Sequence, residues 1–271
     1  MRCSLTEHIL PLKEPLVTAM GPIARRLVWV VAIEDDVGRV GLGEAAPLPV
    51  FGGEDPPTCA EILNQALPLL SDDVVLGWTE RGRPDAAIGR LEHLFAHAPC
   101  ARSAVEGALI DLLAQRRGES LAEVLAGGPA LEQVPVNCLI AGTIPDIEAQ
   151  VERALAAGFR TFKLKVGGDV FADGKRLQVL RSLIGPDARI RIDGNGAWDL
   201  EQARFFLTTA RDSAVEFCEQ PLREHDLEGM ATLRKSGGVA LAVDEGIRQP
   251  TDVARVAAAQ AADIIVLKPM F

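Results

Sequence analysis

The early sequence has no apolar run long enough to cross a bilayer. The longest, LVWVVAI at 27–33, falls far short of the roughly 20 residues a spanning helix needs. The opening MRCSLTEHILPLKEPL carries charges where a signal peptide would have its apolar core. A cytoplasmic protein with no membrane partner is expected. Basic residues are in the minority, 28 against 38 acidic ones, for a net charge of −10. No basic cluster exceeds Arg25-Arg26 or Arg116-Arg117, which argues against nucleic acid as a partner, since phosphates call for a basic face. Cysteines are few, odd in number and scattered: Cys3, Cys59, Cys100, Cys138 and Cys218, with no C-x-x-C pair. That spacing suits neither a disulfide framework nor a zinc ribbon. G-x-G-x-x-G and Walker loops are missing as well, so a nucleotide site lacks its usual sign.

What is present is 271 residues, 48% of them apolar, enough for one large domain or two modest ones with a real core. The first part reads as β-rich. LVWVVAIEDDVGRVGLGEAAPL has an apolar run, a turn at Asp35-Asp36 and Gly38, and a second short run, which is a hairpin signal. A Gly/Pro-rich loop at 43–57 and a helix from about Thr58 follow. The pattern at 103–118 is a strong helix, with Val105, Leu109, Leu112 and Leu113 on one face, Ser103 placed to cap its start and Gly118 to end it. A second short helix, 120–127, stops at Gly127-Gly128.

From residue 134 short apolar runs alternate with helical patterns, six strands with five helices between them. Such alternation implies parallel strands, in an open sheet or a barrel. The strand ends favour the barrel. Charged residues close five successive runs at Lys165, Asp193, Glu219, Asp244 and Lys268, at spacings of 28, 26, 25 and 24 residues. In a (β/α) barrel those ends surround one mouth, whereas in an open sheet they would lie along a line. The period of two also puts Lys163 with Lys165, Arg191 with Asp193, and Phe217 with Glu219 on one face.

Three carboxylates on adjacent strand ends make an oxygen-rich cage with one open side. That suits a hard divalent cation, Mg²⁺ in the first place, with Mn²⁺ as a substitute. Neighbouring cations lower a lysine pKa, and a lysine so tuned can act as a general base. Lys165 would take a proton next to a substrate carboxylate. Lys163, one layer deeper, would help hold Lys165 neutral and bind that carboxylate. Each motif alone is weak; K-x-K pairs often lie on solvated edges and DGN is a common turn. A Schiff-base lysine at Lys268 without any metal, or an inert barrel kept for binding, are the other readings the residues leave open.

The ordered set KLK (163–165), RIDGN (191–195), CEQP (218–221), VDE (243–245) and LKP (267–269) resembles the enolase superfamily, in its muconate-lactonizing-enzyme subgroup. The resemblance covers nearly the whole chain. It implies an α/β fold, a (β/α) barrel of enolase-superfamily type, with an N-terminal α+β capping domain. On this chain the expected division is a cap at 1–100, linking helices at 101–133 and the barrel at 134–271. The resemblance makes Asp193, Glu219 and Asp244 the metal ligands and Lys165, Lys268 and Lys163 the catalytic set, with Asn195, Glu245 and Arg191 in support. It makes 18–26 and 47–55 lid loops. The barrel of that family carries two more strands beyond the sixth, so the sequence to Phe271 is expected to be incomplete at that end. Within the subgroup, GEAAPLPVFGGE, VPVNCLI and VLKPM look most like the o-succinylbenzoate synthases of menaquinone biosynthesis. The activity that implies is Mg²⁺-dependent syn-dehydration of a succinyl-hydroxycyclohexadiene carboxylate, a lyase reaction on a small-molecule carboxylate. The alternative is an N-succinylamino acid racemase or dipeptide epimerase, because two lysines on opposite faces are what such an enzyme requires.

His93 and His97, four apart, read as a structural pair; Cys218 and Trp198 read as packing residues. Arg25 and Arg26 fit either a lid that meets a substrate carboxylate or a solvated loop.

Overall fold

The computed structural model describes residues 1–18, 21–49, 52–70, 89 and 91–270. The chain forms two compact units, Met1–Glu132 with Lys268–Phe271, and Gln133–Leu267. Among the described residues no helix is long and apolar enough to cross a membrane.

The first unit is an antiparallel sheet of β1 (Arg2–Thr18), β2 (Gly21–Glu34) and β3 (Val40–Ala45), in that order. The hairpin expected at Asp35–Gly38 joins β2 to β3, with Asp35 N bonded to Arg39 O at 2.9 Å. The long β1 has no comparably clear signal, because its side chains are mostly exposed and its apolar residues do not alternate. Residues 18–26, expected as a lid loop, are strand where they are described: Thr18 pairs with Gly21 and Pro11 with Arg25. Positions 19–20 of that loop, and 50–51 of the second, lie outside the described residues.

Helices α1 (Pro56–Ala66), α2 (Glu92–Phe95), α3 (Pro99–Arg117) and α4 (Leu121–Ala126) belong to the same unit. Along β2 the period of two sends Trp29, Val31 and Ile33 into one core with Val105, Leu109 and Leu112 of α3. Each such fully buried side chain is worth about 1.5–3 kcal/mol over leaving it exposed. α3 lies almost directly on β3. A Cβ placed on Gly43 would sit 1.9 Å from Ala104 O, and one on Gly41 would sit 2.1 Å from Ala108 O. α3 starts four residues earlier than the sequence suggested. Pro99 fits the first turn, where the missing N–H has no helical partner anyway, so Ser103 sits inside the helix and does not cap it. The C-terminal stop at Gly118, with φ 67°, is as expected, and Ser120 caps α4 through a reciprocal bond pair with Glu123.

The second unit is the expected alternation. Parallel strands β4 (Cys138–Ile140), β5 (Thr161–Lys165), β6 (Arg189–Asp193), β7 (Val215–Glu219), β8 (Ala240–Val243) and β9 (Ile264–Ile265) lie in chain order. Between them run α5 (Ile144–Ala156), α6 (Val170–Ile184), α7 (Leu200–Asp212), α8 (Leu227–Ser236) and α9 (Pro250–Ala259). Asp169, Asp199 and Asp226 cap α6, α7 and α8 by accepting from backbone N–H groups of the first turn. The helix-side core takes Phe162, Leu164, Ile190, Ile192, Cys218, Leu241 and Val243. The alternate residues of β5–β7 are therefore left for the other face, and they include Lys163, Lys165, Arg191, Asp193 and Glu219.

Candidate active site

Strand register brings the cluster together. Lys165 is the partner of Asp193, and Asp193 the partner of Glu219, on three adjacent strands. Glu219 pairs with Ala242, so Asp244 stands two residues further along, just past β8. Asp193, Glu219 and Asp244 are all buried. Burying carboxylates this way is costly unless cations meet them.

Two ammonium groups do so. Lys163 Nζ lies 2.7 Å from Glu219 Oε1 and 2.8 Å from Asp193 Oδ2. Lys165 Nζ donates to the same Asp193 Oδ2 at 2.6 Å and to Asn195 Oδ1 at 2.7 Å. These are short, charge-assisted bonds. Burial disfavours the Lys163 charge, but Asp193 and Glu219 outweigh it and push its pKa up. Burial would raise the Asp193 pKa too, yet Lys163 and Lys165 bring it down. Glu219 goes the other way. Burial, then Asp193 and Asp244 beside it, raise it to about 7 despite Lys163.

The supporting residues form a chain leading away from Lys165. Asn195 N bonds Asp193 Oδ1 at 3.1 Å, and Asn195 Nδ2 donates to Glu245 Oε1 at 2.8 Å. Glu245 thus reaches Lys165 through Asn195. Asn195 takes φ 45°, a left-handed conformation that asparagine tolerates better than most residues. Arg191 lies deeper. It pairs with Glu216 at 2.7 Å and stacks over Phe217 with its guanidinium carbon 5.1 Å from the ring centre. It supports the strand wall away from the carboxylates. Lys268 follows β9 and is half-buried, in the stretch that groups with the first unit.

Among the described residues, no three or more His, Cys, Asp or Glu side chains stand ready to hold a metal ion. The lysines take carboxylate oxygens that a cation would need. The donor set nevertheless suits a hard cation. It is all oxygen, burial together with Asp193 and Asp244 raises Glu219 to about 7, and among the described residues Glu245 Oε2 is buried without a hydrogen-bond partner.

The remaining candidates are quickly placed. His93 and His97 are both exposed, and α2 is too short to carry them on one face. Cys218 is fully buried on the helix side, where burial pushes its thiol pKa up. Trp198 packs on Phe206 with ring centres 4.4 Å apart. Arg25 is exposed, while Arg26 donates to Ala46 O. A cavity of about 650 Å³, lined in part by Trp198, Arg223, His225 and Asp226, opens at the starts of α7 and α8, outside the charged cluster.

Gln220 was not singled out from the sequence. It is buried, has φ 39°, and its side chain bonds Leu222 O and Asp244 N. Its only sequence signal is its place between Glu219 and Pro221.

Comparison with known proteins agrees with this architecture. Residues 2–126 match the family of the mandelate racemase/muconate lactonizing enzyme N-terminal domain, and residues 146–271 match the enolase C-terminal domain-like family. The chain is 34% identical over 265 residues to an aromatic dipeptide epimerase of Herpetosiphon aurantiacus, covering 96% of this chain and 72% of the relative. It is 28% identical to an L-Ala-D/L-Glu epimerase of Bacillus subtilis, covering 100% and 73%. A crystal structure of a dipeptide epimerase from Enterococcus faecalis, complexed with Mg and the dipeptide L-Leu-L-Tyr, superposes with a TM-score of 0.88 at 26% identity, covering 99% of this chain and 74% of that one.

Proposed function

The chain belongs to the mandelate racemase/muconate lactonizing enzyme family of the enolase superfamily, and from that premise we propose that it is a Mg²⁺-dependent dipeptide epimerase. The observation that carries the reading is the pair Lys163 and Lys165 on one strand face, bonded to buried Asp193 and Glu219. A lysine held there can remove the proton on the carbon next to a substrate carboxylate. In a dipeptide that carbon belongs to the C-terminal residue.

Asp193, Glu219 and Asp244 would hold the ion. Mg²⁺ bound there would supply positive charge that binds the substrate carboxylate and offsets the charge developing on it. Lys165 takes the proton on one side. Lys268 takes the part of the second lysine and returns a proton from the other side, which inverts the centre. Asn195 and Glu245 hold Lys165 in its place, and Lys163 keeps a positive charge beside it. The order of the two activities suggested by the sequence is thereby reversed. The relatives carry epimerase names, so epimerisation comes before dehydration to o-succinylbenzoate.

The test is proton exchange in D₂O with Mg²⁺, followed by NMR. Dipeptides, N-succinylamino acids and the succinyl-hydroxycyclohexadiene carboxylate are offered separately. Deuterium appearing at the C-terminal α-carbon of a dipeptide, with inversion and with loss on EDTA, is the expected result. Dehydration of the cyclohexadiene substrate with inert dipeptides would restore the synthase reading.

A further inference from the structure

We propose that Gln220 is a positioning residue that fixes the carboxylate-bearing loop after β8, and through it the affinity of the site for its metal. This rests on the reading of Asp193, Glu219 and Asp244 as metal ligands.

Gln220 follows Glu219 directly, so its backbone is already tied to one of the three carboxylates. Its peptide N–H donates to Ala242 O on β8 at 2.9 Å. Its carbonyl accepts from Gly196 N at 2.7 Å, in the turn that follows Asp193. Its side chain spans the remaining gap. Oε1 accepts from Asp244 N at 3.0 Å, with Gly246 N a longer contact at 3.4 Å, while Nε2 donates to Leu222 O at 2.8 Å. One residue therefore touches the backbone around each of the three carboxylate positions.

The backbone is bent to make this possible. At φ 39° Gln220 occupies the left-handed region, which a residue with a long side chain adopts only at a cost of order 1–3 kcal/mol. The surroundings close around that bend. A Cβ added to Gly194 would stand 3.0 Å from Gln220 O. The side chain is almost wholly buried, and all three of its hydrogen-bonding contacts are to backbone groups. Ordinary packing would be served by an apolar residue. A buried amide that accepts from the Asp244 peptide instead sets where the Asp244 carboxylate stands relative to Glu219. Groups that orient ligands in this way are typically worth about 10–100-fold in metal affinity.

The test is calorimetric titration of the metal-free protein with Mg²⁺ alone, and with Mn²⁺ as a second probe. Gln220→Met keeps the length of the side chain and loses its amide hydrogen bonds to Leu222 O, Asp244 N and Gly246 N, while the backbone contacts remain. Gln220→Gly loses the side chain but relieves the left-handed backbone, and it is read in the same way if the methionine variant fails to fold. Gly43→Ala, far along the chain in the other unit, serves as a control for lost stability. The expected result is metal affinity weaker by about 10–100-fold in the Gln220 variants, unchanged in Gly43→Ala, with kcat largely recovered at saturating Mg²⁺. Gln220 variants that bind within twofold of the parent would overturn the proposal while leaving the metal site intact. A parent protein that binds no metal would overturn the metal reading and the proposal with it.

Discussion

Lys165 and Asp193 are register partners on neighbouring strands, and the lysine Nζ lies 2.6 Å from Asp193 Oδ2. The proposed base and a proposed metal ligand thus share an oxygen. Lys163 reaches that same oxygen at 2.8 Å. The arrangement ties proton transfer to charge balance in the cluster, because any cation that claims the oxygen weakens the hold on Lys165.

Removing the proposed base should be severe. Lys165→Ala is expected to lower kcat by about 10²–10⁴-fold, the range for a lost general base, with Mg²⁺ binding retained. Asn195→Ala breaks the link from Lys165 to Glu245 and should fall in between. Exchange of the substrate α-proton with D₂O is the measurement. An unchanged exchange rate in Lys165→Ala would remove this lysine from the mechanism.

Glu219 makes the metal-free protein sensitive to pH. Its folded pKa, about 7, lies above its ordinary value. The native state therefore binds more protons than the unfolded chain between roughly 4.5 and 7, and stability falls as pH rises through that window. Without metal, the melting temperature should drop from pH 5 to pH 8 by more in the parent than in Glu219→Gln. Mg²⁺ should reverse the drop at pH 8. Below pH 7 its binding should release protons, seen as a buffer-dependent heat in calorimetry.

Asp35 gives the opposite sign in the first unit. Burial alone would raise its pKa, but the Arg39 amide, the Arg39 and Arg116 guanidiniums and the Val37 amide bring it down to about 2. Its stabilisation is present above the ordinary carboxylate range and is lost as pH falls towards 2. Asp35→Asn should cost about 1–3 kcal/mol at pH 7, the scale of an unsatisfied buried polar group. In urea unfolding the gap to the parent should narrow steadily on acidification below pH 4.

The contact of α3 with β3 leaves no room at Gly43. Gly43→Ala should destabilise by about 1–3 kcal/mol or more, as overpacking does, because the obstruction is the helix backbone and not a movable side chain. A urea midpoint equal to that of the parent would show that α3 can move away at little cost.

Much of this was legible in the residues. The period of two placed Lys163 with Lys165 and Arg191 with Asp193, and the alternation of short apolar runs with helical patterns marked six parallel strands. Gly118 and Ser120 announced a helix stop and a helix start. The register in which those strands pair was not written locally. Neither was β1, whose exposed residues carry no strong alternation, nor the start of α3 at Pro99.

The sequence alone determined which side chains face away from the helices, since alternation along a strand is a local consequence of backbone geometry. It also determined the chemical character of the site, carboxylates with lysines between them. Only the tertiary structure decided how they are paired. Lys163 bonds Glu219 from 56 residues away, Asn195 bonds Glu245 from 50, and Gln220 meets Asp244 N from 24. Such contacts depend on strand order, on register and on the left-handed turns at Asn195 and Gln220. No short stretch of sequence encodes them, because each forms only when separate strand ends have been brought side by side.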